Sequence, residues 1–370
     1  MLVDSVQRFV QQEYDFETRQ ATVRHKAGFD RAHWKQFAGM GWLGLALPDA
    51  VGGLDGSAVD TALVMQELGR GLVVEPYLAV AVLAAQVINA GASDAQKQAL
   101  LPALIGGESL LALAHGEPDA AGVLAHVGLR AERDGDGGYR LYGRKSQVLG
   151  GPVADQLIVS ARTGGVAGDE YGISLFLLDA NAPGLARSDY RLIDGSGVSD
   201  LVLDGARAGP DALIGAANGG FAAIDHGFSH AMVALCAEAI GAMEKVIWTT
   251  RDYLLMRKQF GAAIGSFQAL QHRMADMVCE LEQSRAMLYR ALAYLDAPDP
   301  AQRRHAVAAA KAQAGRSGAF VGAQGIQLHG GIGMTDEYCI GHYFKRLTVM
   351  NTLFGHQQFH LRELAQRYRD

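Results

Sequence analysis

The sequence predicts an α+β multidomain fold: a helical stretch, a stretch of short strands, then a second helical stretch. Three observations predict it. The chain has 370 residues, more than one ordinary hydrophobic core organises, so two or three domains are expected. Between residues 111 and 212 the pattern consists of short β-branched or alternating runs split by Gly- and Asp-rich turns. From about Gly219 helical periodicity returns, and no proline interrupts the chain from Asp211 to Ala297.

Residues 1–110 read as a helical domain. Val3, Val6, Phe9 and Val10 form one apolar stripe, and Trp34, Phe37 and Trp42 belong to a second helical segment. LALPDAVGGLDG is a loop. Ala58–Gly69 is a further helix, and Asp94 reads as part of a cap before AQKQALLPALI. In 111–212, GYRLYGRKSQV, QLIVSART, GISLFLLDA and SDLVLDGARA read as strands, and Asp134–Gly138 as a hairpin turn. Strands of this length and number suggest a small β-barrel or a sandwich. Residues 213–370 read as a four-helix bundle, with Ala- and Gly-rich faces at Ala306–Gly325 for close packing.

The stretch Arg251–Met277 reads as a helix end, a turn and a new helix. Gly261 and Gly265 mark the turn, and Arg257 and Lys258 fall in the last turn of the first helix, where positive charge suits the dipole. Phe267, Leu270, Met274, Met277 and Leu281 give the second helix its apolar stripe.

A net charge of −6, spread without like-charge runs, offers nothing for nucleic acid. The three cysteines, Cys236, Cys279 and Cys339, show neither metal-ligand spacing nor a disulfide framework, so no metal is expected. The longest apolar run, Leu78–Ala90, is too short to span a bilayer. An amphipathic, acid-bearing N-terminus lacks the pattern of a secretory signal. The expectation is a soluble cytoplasmic protein.

RKQFG from Arg257, SFQALQHRMADM from Ser266, and QLHGGIG from Gln327, in this order and spacing, resemble the C-terminal domain of the acyl-CoA dehydrogenases. HYFKRLTVMNTLFG from His342 is most similar to the small, pimeloyl-CoA dehydrogenase-type subunits of heteromeric members. The resemblance implies a β-barrel as the middle domain and an FAD shared between two subunits. It implies that Arg257, Gln259 and Phe260 reach a neighbour's cofactor, with Arg257 on the diphosphate. Gln268 matches a further flavin contact. Gln327, Leu328, Gly330 and Gly331 match a segment where backbone approaches the cofactor closely. Read without the resemblance, the glycine pair is a helix C-cap.

The ring-side motifs depart from the family pattern. HGEPDAAG places His115 and Gly116 before Glu117, with Ala121 and Gly122 where Gly-Ser is usual, and the Thr and Ser hydroxyls are gone. In KSQVLGG, Gln147 stands for the ring-covering Trp, followed by Val148, and Leu149 replaces a hydrogen-bonding Thr. His115, Gly116, Gly122, Val148 and Leu149 are therefore the weaker, ring-side positions. The family's catalytic glutamate corresponds to Phe354, which takes no proton. A second family position for the base falls in HGFSHAM, which offers Ser229 and His230 but no glutamate. Glu117 reads as structural, Cys236 as a buried thiol, Asp225 as displaced from the base position, and Asp336 and Glu337 as loop residues.

The resemblance implies oxidation of an acyl-CoA thioester to a trans-2-enoyl-CoA, with electrons passed to an electron-transfer flavoprotein. The kept and lost motifs lead to a half-site subunit. It pairs with a larger, catalytic acyl-CoA dehydrogenase subunit in a dimer or tetramer, such as a heterotetramer. The alternative is a self-sufficient homo-oligomeric dehydrogenase or oxidase with a non-standard base, for which His230 is the candidate.

Overall fold

The computed structural model describes residues 1–25, 28–120 and 122–366. Ala121, singled out above, lies outside them. The chain forms two compact units, each assembled from separated segments.

One unit comprises Met1–Thr22, Ala58–Val73 and Met232–Asp370. Helix α1 (Leu2–Gln12) packs against α4 (Ala58–Gly71), and Val6 and Phe9 of the predicted stripe are buried. Helix α2 (Phe16–Arg24) begins in this unit, and α3 (Arg31–Gly39), α5 (Ala85–Gly91) and α6 (Asp94–Ile105) belong to the other. Helix α7 (Phe221–Met256) runs uninterrupted for 36 residues, as a proline-free apolar stretch allows. It is followed by α8 (Gln268–Tyr294), α9 (Pro300–His329), α10 (Cys339–Thr352) and α11 (Gln357–Gln366). Helix α9 packs against α8, α10 and α11. Its small residues permit this: a Cβ on Gly325 would lie 2.6 Å from Val246 Cγ1 of α7. Met277 and Leu281 carry the buried stripe of α8, joined by Ser284, Leu288 and Ala291.

The other unit comprises Val23–Ser57 and Val74–Ala231. Its strands are β1 (Leu111–Ala114), β2 (Arg130–Arg133), β3 (Tyr139–Leu149), β4 (Gln156–Arg162), β5 (Ile173–Asp179), β6 (Leu185–Arg191), β7 (Gly197–Ala208) and β8 (Leu213–Ile214). They join in the order β6-β7-β3-β2-β4-β5-β8, with β1 added in parallel to β4. This corrects the barrel expectation, because the sheet is open. Its end strands β6 and β8 do not pair with each other, and β8 is only two residues long. Asp134–Gly138 forms the expected turn between β2 and β3, closed by Asp134 N–H to Gly138 O at 2.9 Å. Alternate residues of β3, β4, β5 and β7 face one apolar core that includes Leu141, Val148, Leu157, Phe176 and Leu201.

Helix α6 is capped by Ser93 rather than Asp94. The Ser93 hydroxyl accepts from Gln96 N–H while the Gln96 side chain accepts from Ser93 N–H, a reciprocal box. The apolar run from Leu78 begins as a wide, π-type helix over Leu78–Ala84 and continues as α5. No helix among the described residues is long and apolar enough to cross a membrane.

Candidate functional site

The sequence-predicted positions fall into two groups, one in each unit. The first lies at the end of α7. Contrary to expectation, Arg257 and Lys258 are not in the helix, which ends at Met256. Lys258–Gln259 (β9) pairs with Ala262–Ala263 (β10) as a minimal antiparallel hairpin. Its two turn residues, Phe260 and Gly261, both have left-handed φ, +55° and +81°. That is the hairpin turn whose twist matches the strands, and it normally selects Asn or Gly rather than an aromatic residue. Phe260 is thereby held at the tip, 93 % exposed. Gly265 serves a different purpose from Gly261. A Cβ there would lie 3.1 Å from Leu254 O, so its role is close approach.

Phe260 meets Phe267 edge-on, with ring centroids 6.3 Å apart. Leu255, Met256, Phe267, Ile332 and Met334 are all exposed. Arg257 and Gln259 are exposed, and the Arg257 guanidinium has no partner among the described residues. Gln268 and Gln327 are exposed as well, whereas Leu328 is buried. Gly330 ends α9 with φ +66°. A Cβ at Gly331 would meet nothing within 4 Å. Among the described residues nothing packs where a Gly331 side chain would point, which leaves room for the close approach that the resemblance implies. A free guanidinium, an exposed aromatic tip and a bare glycine pair fit the diphosphate end of FAD, as the resemblance implies.

QLHGG and the end of α7 come together through His329. Its ring stacks on Tyr253 with centroids 4.5 Å apart, and Tyr253 O accepts from Arg257 N–H at 2.8 Å. Sequence reasoning passed over Tyr253, His329 and Tyr338. The signal available was the aromatic residue one helical turn before Arg257.

Phe354 adopts a left-handed φ of +59°, followed by Gly355 at +94°. The loop is strapped from beneath. His360 Nε2 donates to Phe354 O at 2.9 Å. The buried Lys311 Nζ donates to Asn351 O at 3.1 Å and Gly355 O at 3.0 Å. Burial, then the Lys311 charge, pushes the His360 pKa down to about 4. Position 354 thus offers a shaped backbone and no ionisable group.

The second group lies in the β unit and is organised by Lys145. Its buried Nζ donates to Glu117 Oε1 at 2.7 Å, Ser160 Oγ at 3.0 Å and His115 O at 3.1 Å. Glu117 also accepts from Gly128 N–H at 2.8 Å and Leu129 N–H at 3.0 Å, which fixes it as structural. His115 turns inward. It shares a 2.9 Å hydrogen bond with Ser160 and sets its ring edge against Phe228. Burial, then the Lys145 charge, pushes its pKa down to about 3, so it is neutral at pH 7. Val148 likewise points into the sheet core, so only its backbone and that of His115 can face a ligand. Gly116 and Gly122 are exposed, and Leu149 is half-buried. Gln147 sits on a bulge between Lys145 and Val148 with φ +52°. Its N–H donates to Asp200 Oδ1 at 2.9 Å, and its side chain is directed outward.

His230, the candidate base, is half-buried beside His226, with ring centroids 4.3 Å apart. His226 Nε2 in turn lies 3.2 Å from Gln86 Oε1. Cys236 is buried, and its thiol pKa is pushed up to about 12 by burial. No group of three or more metal-ligating side chains occurs among the described residues.

Two family models match. The acyl-CoA dehydrogenase C-terminal domain covers residues 218–368, and the acyl-CoA dehydrogenase N-terminal domain covers residues 1–108. A mitochondrial isovaleryl-CoA dehydrogenase of Pongo abelii is 31 % identical over 321 residues, 85 % of this chain and 75 % of that protein. The solved ChsE4-ChsE5 complex from Mycobacterium tuberculosis superposes with a TM-score of 0.89 at 27 % identity, over 100 % of this chain and 96 % of that one. A structure titled as an electron transferring flavoprotein of Acidaminococcus fermentans gives 0.89 at 26 % identity, over 100 % and 97 %.

Proposed function

Because this chain belongs to the acyl-CoA dehydrogenase family of FAD-dependent oxidoreductases, we propose that it works as a half-site subunit. It donates Arg257, Gln259, Phe260, Gln268, Gln327 and the Gly330–Gly331 backbone to the FAD of a partner subunit. The partner, a larger homologue, carries the catalytic glutamate. The assembly oxidises an acyl-CoA to a trans-2-enoyl-CoA and passes electrons to an electron-transfer flavoprotein. FAD held by these residues would supply the hydride acceptor.

One observation carries this reading. The exposed, apolar Phe260 tip beside an Arg257 with no partner among the described residues suits contact with another molecule. Phe354, at the position of the usual base, supplies no proton acceptor. The name ChsE4-ChsE5 joins two chains in one complex, which agrees with a heteromeric assembly such as a heterotetramer. Under this reading, segments 1–110, 111–212 and 213–370 act as the family's helical, β and four-helix-bundle domains.

The alternative is a self-sufficient homo-oligomeric dehydrogenase or oxidase that uses His230 as base. His230 is packed beside His226, which supports a structural role better. Purification of the chain alone and together with a catalytic homologue decides between them. The half-site reading expects yellow, substrate-bleachable flavin in the complex alone. Full flavin occupancy and bleaching by an acyl-CoA in the isolated chain would overturn it.

A further inference from the structure

We infer that His329 is a positioning residue, an aromatic clamp that locks the Gly330–Gly331 turn to the end of α7. It thereby presents the glycine backbone and Arg257 as one rigid surface for a nucleotide diphosphate. The inference rests on the donor role proposed above for these residues.

His329 is the last residue of α9 and is buried. Its Nδ1 lies 2.8 Å from Gly325 O. A carbonyl only accepts, so Nδ1 carries the proton and Nε2 presents a lone pair. The Tyr338 hydroxyl, 3.3 Å from Nε2, donates to it. Burial lowers the His329 pKa, which keeps that lone pair available. Two aromatic rings pack against it: Tyr253 stacks at 4.5 Å and 29°, and Tyr338 sits tilted at 5.2 Å and 50°. The imidazole is therefore held by a hydrogen bond at each nitrogen and by the stacked Tyr253 ring.

Each arm of the clamp leads to the donor surface or to an anchor. On one side, the Tyr253 carbonyl receives Arg257 N–H at 2.8 Å, so the stack sits one helical turn from the guanidinium-bearing residue. On another, the His329 backbone runs directly into Gly330. On the third, the loop that carries Tyr338 is itself held. Asp336 O accepts from Gln20 Nε2 at 3.0 Å and from His342 Nε2 at 2.9 Å. His342 Nδ1 then accepts from buried Arg19 at 3.3 Å. A glycine pair costs the most conformational entropy to order. A rigid neighbour on its N-terminal side removes part of that cost before the ligand arrives.

The test is FAD affinity in the protein's native flavin-bearing assembly. It is stripped of flavin and titrated with FAD by fluorescence quenching, well below the unfolding temperature. His329→Leu is expected to raise the FAD dissociation constant about tenfold, the scale of a lost buried hydrogen bond. Tyr338→Phe keeps both rings and loses one hydrogen bond, so a smaller, several-fold loss is expected. His329→Gln, with one amide donor and one carbonyl acceptor, should recover part of the loss seen in His329→Leu. A role in stability alone would lower the melting temperature and leave these constants unmoved. An unchanged constant in folded His329→Leu overturns the clamp. Should His329→Leu not fold, an unchanged constant in Tyr338→Phe does so. Arg257→Ala is measured alongside. If it weakens FAD and the clamp variants do not, only the clamp falls; if it too binds FAD normally, the donor reading falls with it.

Discussion

The corner around Phe260 and the stretch of β3 around Lys145 both resemble family cofactor motifs, yet their side chains are arranged in opposite ways. At the corner, Arg257 is unpartnered among the described residues, Phe260 stands in solvent and the glycine pair meets no side chain. Around Lys145, almost every polar group is paired within the chain. Nζ has three acceptors, Glu117 accepts from Nζ and two backbone amides, and His115 is bonded and buried. An exposed polar group can be satisfied by water, whereas a buried one must find its partner within the fold. The first region leaves its polar and aromatic groups exposed, and the second consumes them within the fold.

That contrast breaks if stability and cofactor binding fail to separate between the two regions. The largest effect should come from Lys145→Met, which leaves Glu117 without its ammonium partner. Loss of about 3–5 kcal/mol is expected from removing one member of a buried pair. Urea unfolding measures it, and a loss under 1 kcal/mol would mean the pair is not organising this region. Next is Arg257→Ala. Charge-assisted hydrogen bonds contribute about 1.5–3 kcal/mol, so FAD affinity of the assembly should fall roughly 10- to 100-fold. Its melting temperature without flavin should stay unchanged.

A third effect is the acid dependence of stability. His115 and His360 have folded pKa values of about 3 and about 4, below their unfolded value. Between the folded and unfolded values the unfolded chain binds more protons, so protonation favours unfolding. The stability each contributes is complete above about pH 6.5. It falls by up to about 1.4 kcal/mol per pH unit as pH drops toward the folded values. Urea midpoints at pH 7 and pH 5 measure this, and His115→Gln should flatten the slope. The smallest effect should be Phe260→Ala. At 93 % exposure it should change unfolding free energy by less than about 0.5 kcal/mol. It should still weaken flavin retention in the assembly. A marked stability loss would show that Phe260 is packed within its own chain and not offered outward.

The helices were legible wherever periodicity was strong. Val6 and Phe9 on α1, and Met277 and Leu281 on α8, are buried as their spacing requires. Strands β3, β4, β5 and β7 were legible from alternation. Strand β6, LARSDYR, was not, because its residues are mostly exposed and polar and carry no apolar period. Openness of the sheet was also illegible, since closure depends on whether two end strands meet, and no local pattern encodes that. The site motifs were readable as strings, but their orientations were not. Phe260 at a hairpin tip, His115 and Val148 turned inward, and Gln147 aimed out by a bulge all depend on pairing partners distant in sequence.

The sequence by itself determined which residue types are available: a guanidinium, an aromatic residue and a glycine pair at the corner, and a phenylalanine at position 354. Local chemistry and spacing are written in the chain, so these need no partner to be read. Only the tertiary structure decided which polar groups are consumed internally and which stay exposed. Satisfaction of a hydrogen-bonding group belongs to a pair of residues, and folding chooses the second member of that pair.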